Sequence, residues 1–87
     1  MSTRLPSLRE LEVFRATLDT GSATRAAQRL GISQPAVSRA LAQLEERLGV
    51  IMFIRQSGRL TPTAEALAFN MELGPLFDGL ERVIQIG

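Results

Sequence analysis

The run Ser33-Gln34-Pro35-Ala36-Val37-Ser38-Arg39 gathers polar side chains at the start of a helical pattern. Its chemistry is recognition by hydrogen bonds, not bond breaking. Arg39 can donate twice to a guanine edge, Gln34 can pair twice with an adenine edge, and Ala36 can touch a thymine methyl. Pro35 stiffens the first turn, where a missing N–H costs little. Ser33 reads as the helix cap as well as a contact. At about 100° per residue, Pro35, Arg39, Ala42 and Glu46 share one face, with Ser38 on its flank, opposite Val37, Leu41, Leu44 and Leu48. Glu45 and Glu46 occupy the second half of the same helix, where carboxylates would repel a phosphate backbone. The first half is therefore the end expected to face DNA, aided by the positive end of the helix dipole.

Two further groups fit the same chemistry. Arg55, Ser57 and Arg59 flank Gly58 in a predicted ribbon, a wing over residues 53–60 suited to a minor groove. A hairpin whose arginines only maintain solubility is the plainer alternative. Ser22 and Thr24 open the preceding helix, where hydroxyls and free N–H groups hold phosphates, or simply cap.

Catalysis has little to work with. The chain has no Cys and no His, which excludes disulfides and thiolate metal sites and removes the commonest general base. No enzyme activity, metal or cofactor is expected. The net charge of +1 is uninformative, but its distribution is not. Residues 1–63 hold nine of the ten arginines against Glu10, Glu12, Asp19, Glu45 and Glu46. The remainder holds Arg82 against Glu65, Glu72, Asp78 and Glu81. A basic front and an acidic tail suggest that only the front meets phosphate. No apolar run is long enough to span a membrane and no signal-peptide core is present, so the cytoplasm is the expected location.

Eighty-seven residues make one small domain with an appendage. Ser7 and Glu10 fit a capping box before a helix over residues 8–19 that carries Leu8, Leu11, Phe14 and Leu18. Gly21 ends it. Ser22 starts a second helix with a small-residue face of Ala26, Ala27 and Leu30, stopped by Gly31. The third helix spans residues 33–48. Residues 50–55 and 59–61 form two short strands. Thr61 and Pro62 look like the cap and first residue of a fourth helix, with a kink or a break at Gly74-Pro75. Its apolar positions Phe69, Leu73, Leu76, Phe77, Leu80 and Ile84 either fold back on the first helix or pair with a second copy. Pairing is the favoured reading, because one small domain covers only part of such a stripe.

These residues together resemble the N-terminal domain of LysR-type bacterial transcriptional regulators. The resemblance rests on Leu8-Arg9-Glu10-Leu11 with Phe14, Gly21 to Ala27, Leu30, Ser33 to Arg39, Leu44-Glu45, Leu48-Gly49-Val50, Phe53, Arg55, Gly58-Arg59 and Leu60-Thr61. It implies a mainly α winged helix-turn-helix over residues 1–61, three helices and a two-stranded wing, followed by a linker and dimerisation helix over residues 62–87. It implies a homodimer on an inverted-repeat operator in double-stranded DNA, with recognition helices in successive major grooves and the wing arginine, Arg55, in the minor groove. Regulators of this kind continue into an effector-binding domain that assembles tetramers. That domain is absent from the chain, which is then expected to be a fragment. Many relatives carry Phe where this chain has Ala23, so another side chain such as Met52 must fill the core. A winged-helix module that binds protein instead would need an apolar or acidic recognition face, which Arg39, Arg55 and Arg59 oppose.

Overall fold

The computed structural model describes residues 5–86 and is mainly helical, with four helices and one two-stranded antiparallel sheet. In chain order these are α1 (Leu8–Thr20), α2 (Ala23–Leu30), α3 (Gln34–Leu48), β1 (Phe53–Gln56), β2 (Arg59–Pro62) and α4 (Ala64–Ile86). The first three helices begin at serine caps. Ser7, Ser22 and Ser33 each accept the N–H of the residue three positions on. Ser7 and Glu10 complete the capping box in both directions. Each helix then stops at a glycine in the left-handed region, Gly21, Gly31 or Gly49.

The core lies where α1, α2 and α3 meet, and it takes Met52, Ala66 and Leu73 from the later segments. Phe14 is its centre. Its ring meets Phe53 of β1 at 5.6 Å and Phe69 of α4 edge-on at 5.4 Å. Ala23, Ala26 and Ala27 form the small buried face of α2, and Val37, Leu41 and Leu44 the buried stripe of α3. Met52 is buried in the same core as Ala23. The inward face of α1 differs from the expectation. Leu8 is exposed, while Glu10, Val13 and Thr17 are buried. Glu10 tolerates burial because both its carboxylate oxygens accept from Arg47 Nε, at 3.1 and 3.2 Å.

The strands differ from the expectation at their ends: residues 50–52 lie outside the ribbon, and β1 and β2 each end one residue later, at Gln56 and Pro62. The register pairs Phe53 with Pro62, Ile54 with Thr61, Arg55 with Leu60 and Gln56 with Arg59. Ser57 and Gly58 both have positive φ, which matches the right-handed twist of a two-residue hairpin. Thr61 and Pro62 therefore belong to β2 and do not start α4. Thr63 takes that role. Its hydroxyl accepts the Ala66 N–H and donates to the Ile51 carbonyl at 2.7 Å. One side chain thus caps α4 and ties it to the entrance of the ribbon.

α4 is one helical segment that includes Pro75, and no break occurs at Gly74-Pro75. The lost hydrogen bond is offset by packing on both sides of it. Phe69 and Leu73 precede Pro75 against the core, and Phe77 follows it with its ring 4.9 Å from the Arg15 guanidinium carbon. Among the described residues, no helix is long and apolar enough to cross a membrane.

Candidate nucleic-acid interface

Ser33 caps α3 through its Oγ, 3.2 Å from the Ala36 N–H. That bond makes Ser33 first of all a structural cap, and its O–H stays free to donate. Gln34, Pro35, Ser38 and Arg39 are exposed and Ala36 is half-exposed. Gln34 and Ser38 are coupled, since Gln34 Nε2 donates to Ser38 Oγ at 2.8 Å. The amide keeps one N–H and its carbonyl oxygen free, which is the pair an adenine edge requires. Ser38 therefore holds Gln34 in one orientation before any partner arrives.

The wing is held from two sides. On one side Glu45 Oε2 accepts the backbone N–H of Met52 at 2.8 Å and of Phe53 at 3.3 Å. The acid read from the sequence only as repulsive is thus the link between α3 and β1. On the other side the Leu60 N–H points away from β1 and donates to the Gly21 carbonyl at 3.0 Å. Side chains alternate along a strand, so Arg55 and Arg59 occupy opposite faces of the ribbon. The two arginines do different work. The Arg59 guanidinium lies over Gly21, close enough that a Cβ there would stand 3.1 Å from Nη2. Arg55 and Ser57 are exposed.

Arginine pairing separates structural cations from free ones. Arg47 is bound to Glu10, Arg29 to Asp19 and Arg9 to Glu12. Among the described residues six arginines have no carboxylate partner; Arg15 lies over the Phe77 ring and Arg82 is on α4, which leaves Arg25, Arg39, Arg55 and Arg59. They occupy the first turn of α2, the first half of α3 and the wing. Arg25 was not among the sequence candidates. The signal for it was a cation in the first turn of a helix, where the dipole opposes it, with no acid in that turn. Thr24 beside it is exposed, and Ser22 is engaged as the cap of α2. No group of carboxylates among the described residues is placed to hold a metal ion.

The apolar stripe of α4 divides into two sets. Leu73 is buried, and Phe69, Leu80 and Phe77 are half-buried. Leu76 and Ile84 are exposed, as are Leu67, Met71 and Val83, which the stripe did not include. The protein therefore covers the middle of the stripe itself and leaves its flanks and far end open.

The family model for bacterial regulatory helix-turn-helix proteins of the lysR family matches residues 8–67. The regulatory protein NocR of Agrobacterium fabrum is 41% identical over 78 residues, which cover 90% of this chain and 26% of that protein. The transcriptional activator protein LysR of Escherichia coli is 42% identical over 78 residues, 90% of this chain and 25% of that protein. The chain spans about a quarter of the length of these relatives. The DNA-binding domain of BenM, solved in complex with catB site 1 DNA, superposes with a TM-score of 0.85 at 32% identity. That match covers 92% of this chain and 90% of the other.

Proposed function

The chain belongs to the LysR family of bacterial regulatory helix-turn-helix proteins, and we infer that it is the part of a transcriptional regulator that reads double-stranded DNA. The observation that carries this reading is the placement of Arg25, Arg39, Arg55 and Arg59. These guanidinium groups have no carboxylate partner among the described residues, and they cluster on the α2 start, the α3 start and the wing. The solved DNA complex of the BenM domain supports the same assignment.

In this reading the first half of α3 enters the major groove. Gln34 and Arg39 read base edges, Ala36 and Pro35 supply apolar contact, and Ser38 orients Gln34. Arg55, with Ser57 at the hairpin tip, reaches the minor groove. Ser22, Thr24, Ser33 and Arg59 stand by the backbone. The protein acts as a homodimer on an inverted repeat, with α4 as the linker and dimerisation segment. The exposed Leu76 and Ile84, with Leu67, Met71 and Val83, supply the apolar area for pairing. The two heads then sit about one helical turn apart, or a multiple of it. Effector binding and tetramer assembly belong to segments of the regulator outside this chain. The work is binding, not catalysis, and it takes place in the cytoplasm, where the chromosome lies.

Selection from a random duplex pool tests this reading. It should return an inverted repeat with fixed half-site spacing. An unenriched pool would contradict it.

A further inference from the structure

Two hollows of similar size lie on the protein, and their chemistry is opposite. One, of about 230 Å³, lies among α1, α2 and α4 and carries Glu12, Asp19, Asp78 and Glu81 beside its arginines. The other, of about 240 Å³, lies between the start of α2 and the wing. Thr20, Gly21, Ser22, Arg25, Gly58 and Arg59 line it, with no carboxylate among them. We propose that this second hollow seats a single phosphate diester of the DNA backbone, gripped by Arg25 from α2 and by Arg59 from the wing. The proposal rests on the reading of the chain as a duplex-DNA binder and names a contact within it.

The hollow's own hydroxyls already make hydrogen bonds. Thr20 Oγ1 bonds the carbonyls of Ala16 and Ser22, at 2.8 and 3.0 Å, and Ser22 Oγ accepts the Arg25 N–H at 3.1 Å. The donors left over are the Ser22 O–H and the two guanidinium groups, and only the guanidinium groups carry charge. Two cations facing one hollow repel each other unless an anion lies between them. Planar guanidinium forks suit phosphate oxygens, which can accept from both at once. The wall that holds Arg59 is fixed, because the Leu60 N–H to Gly21 carbonyl bond pins the wing there at 3.0 Å. Gly21 has φ of 68° and no Cβ, so the guanidinium can lie across it. A phosphate seated here would join α2 and the wing to one strand. Arg55, on the other ribbon face, stays free for the groove.

The test is a methylphosphonate scan. The intact 87-residue chain is titrated with its selected duplex, neutralised at one phosphate at a time along a half-site. One position should cost the wild type about tenfold in affinity. Arg25→Gln and Arg59→Gln should each lose most of the sensitivity at that same position, and the double variant should be weakened by less than the product of the two single effects. Thermal melts establish that the variants fold. Sensitivity lost at two different phosphates, or at none while specific binding persists, would overturn the shared seat alone. Failure of the wild type to prefer any duplex would overturn the DNA-binding reading and this proposal with it. Inorganic phosphate supplies the second arm, followed by the Arg25 and Arg59 Nε–H resonances. If it shifts both at millimolar concentration and the duplex shifts neither, the hollow takes a free anion and the diester assignment is wrong.

Discussion

The Glu45 carboxylate accepts the backbone N–H of Met52 at 2.8 Å, and this bond fixes the wing to α3. The same oxygen takes the Phe53 N–H at 3.3 Å, so both residues entering β1 are held by one side chain of α3. The angle between α3 and the wing is therefore set at Glu45. Glu45→Ala should cost about 1–3 kcal/mol of stability, since two N–H groups lose a charged acceptor. Denaturant unfolding checks it. A loss well below that range would show that water replaces the carboxylate without penalty.

Ser38 should matter through Gln34. Removing its hydroxyl frees the Gln34 amide, which now rests on Ser38 Oγ at 2.8 Å. Ser38→Ala is expected to broaden preference at the base pair read by Gln34 while leaving the other positions of the motif unchanged. Repeating the duplex selection with the variant gives the answer. An unchanged motif would mean that Gln34 needs no orienting partner.

Arg39 is exposed and unpaired on the outward face of α3. Arg39→Ala should relax one half-site position by roughly 1–3 kcal/mol of discrimination. Arg55→Ala should weaken binding more evenly, with its largest effect at narrow A·T-rich flanks. Competition titrations against single-base variants of the operator separate the two patterns. Arg39 leaves the reading set if its loss lowers affinity equally on every duplex.

Dimerisation can be tested without unfolding the protein. Leu73 is 6% exposed and belongs to the core, so a charge there would destroy the fold and report nothing about pairing. Leu76 and Ile84 are 51% and 74% exposed. Leu76→Glu with Ile84→Glu should convert a dimer to a monomer in sedimentation equilibrium while the thermal midpoint stays close to wild type. A wild-type chain that sediments as a monomer, or a variant that still pairs, would place the interface elsewhere.

Phe14 joins three elements by touching Phe53 and Phe69. Phe14→Ala is expected to cost about 3–5 kcal/mol and to loosen the wing and α4 together. Amide exchange should show both segments losing protection. Loss confined to α4 would mean that the wing is held by Glu45 and Gly21 alone.

The helix starts and stops were legible because they are local. A serine cap and a left-handed glycine need no distant partner, and Ser7, Ser22, Ser33, Gly21, Gly31 and Gly49 all act where the sequence places them. What escaped the sequence depended on contacts far along the chain. Thr61 and Pro62 resemble a helix start, but pairing with Ile54 and Phe53 draws them into the ribbon and leaves the cap to Thr63. Pro75 suggests a kink or a break, and the break does not occur because Phe69, Leu73 and Phe77 hold the helix through it. Glu10 could be seen as a capping residue but not as a buried partner of Arg47. In the candidate site, the exposed face of α3 followed from its period. Arg25 and the separation of Arg55 from Arg59 did not, because both need the approach of the wing to α2 and the strand register.

The most direct measurement of the central claim is the affinity of this chain for its selected inverted repeat and for a scrambled duplex of equal length, followed against salt. Counterion release by the unpaired arginines of two subunits predicts that both affinities fall steeply, by roughly 10³-fold between about 50 and 200 mM salt for six or so phosphate contacts. The selected duplex should stay the tighter ligand at every concentration. Affinity that is flat with salt, or equal for the two duplexes, would contradict the account.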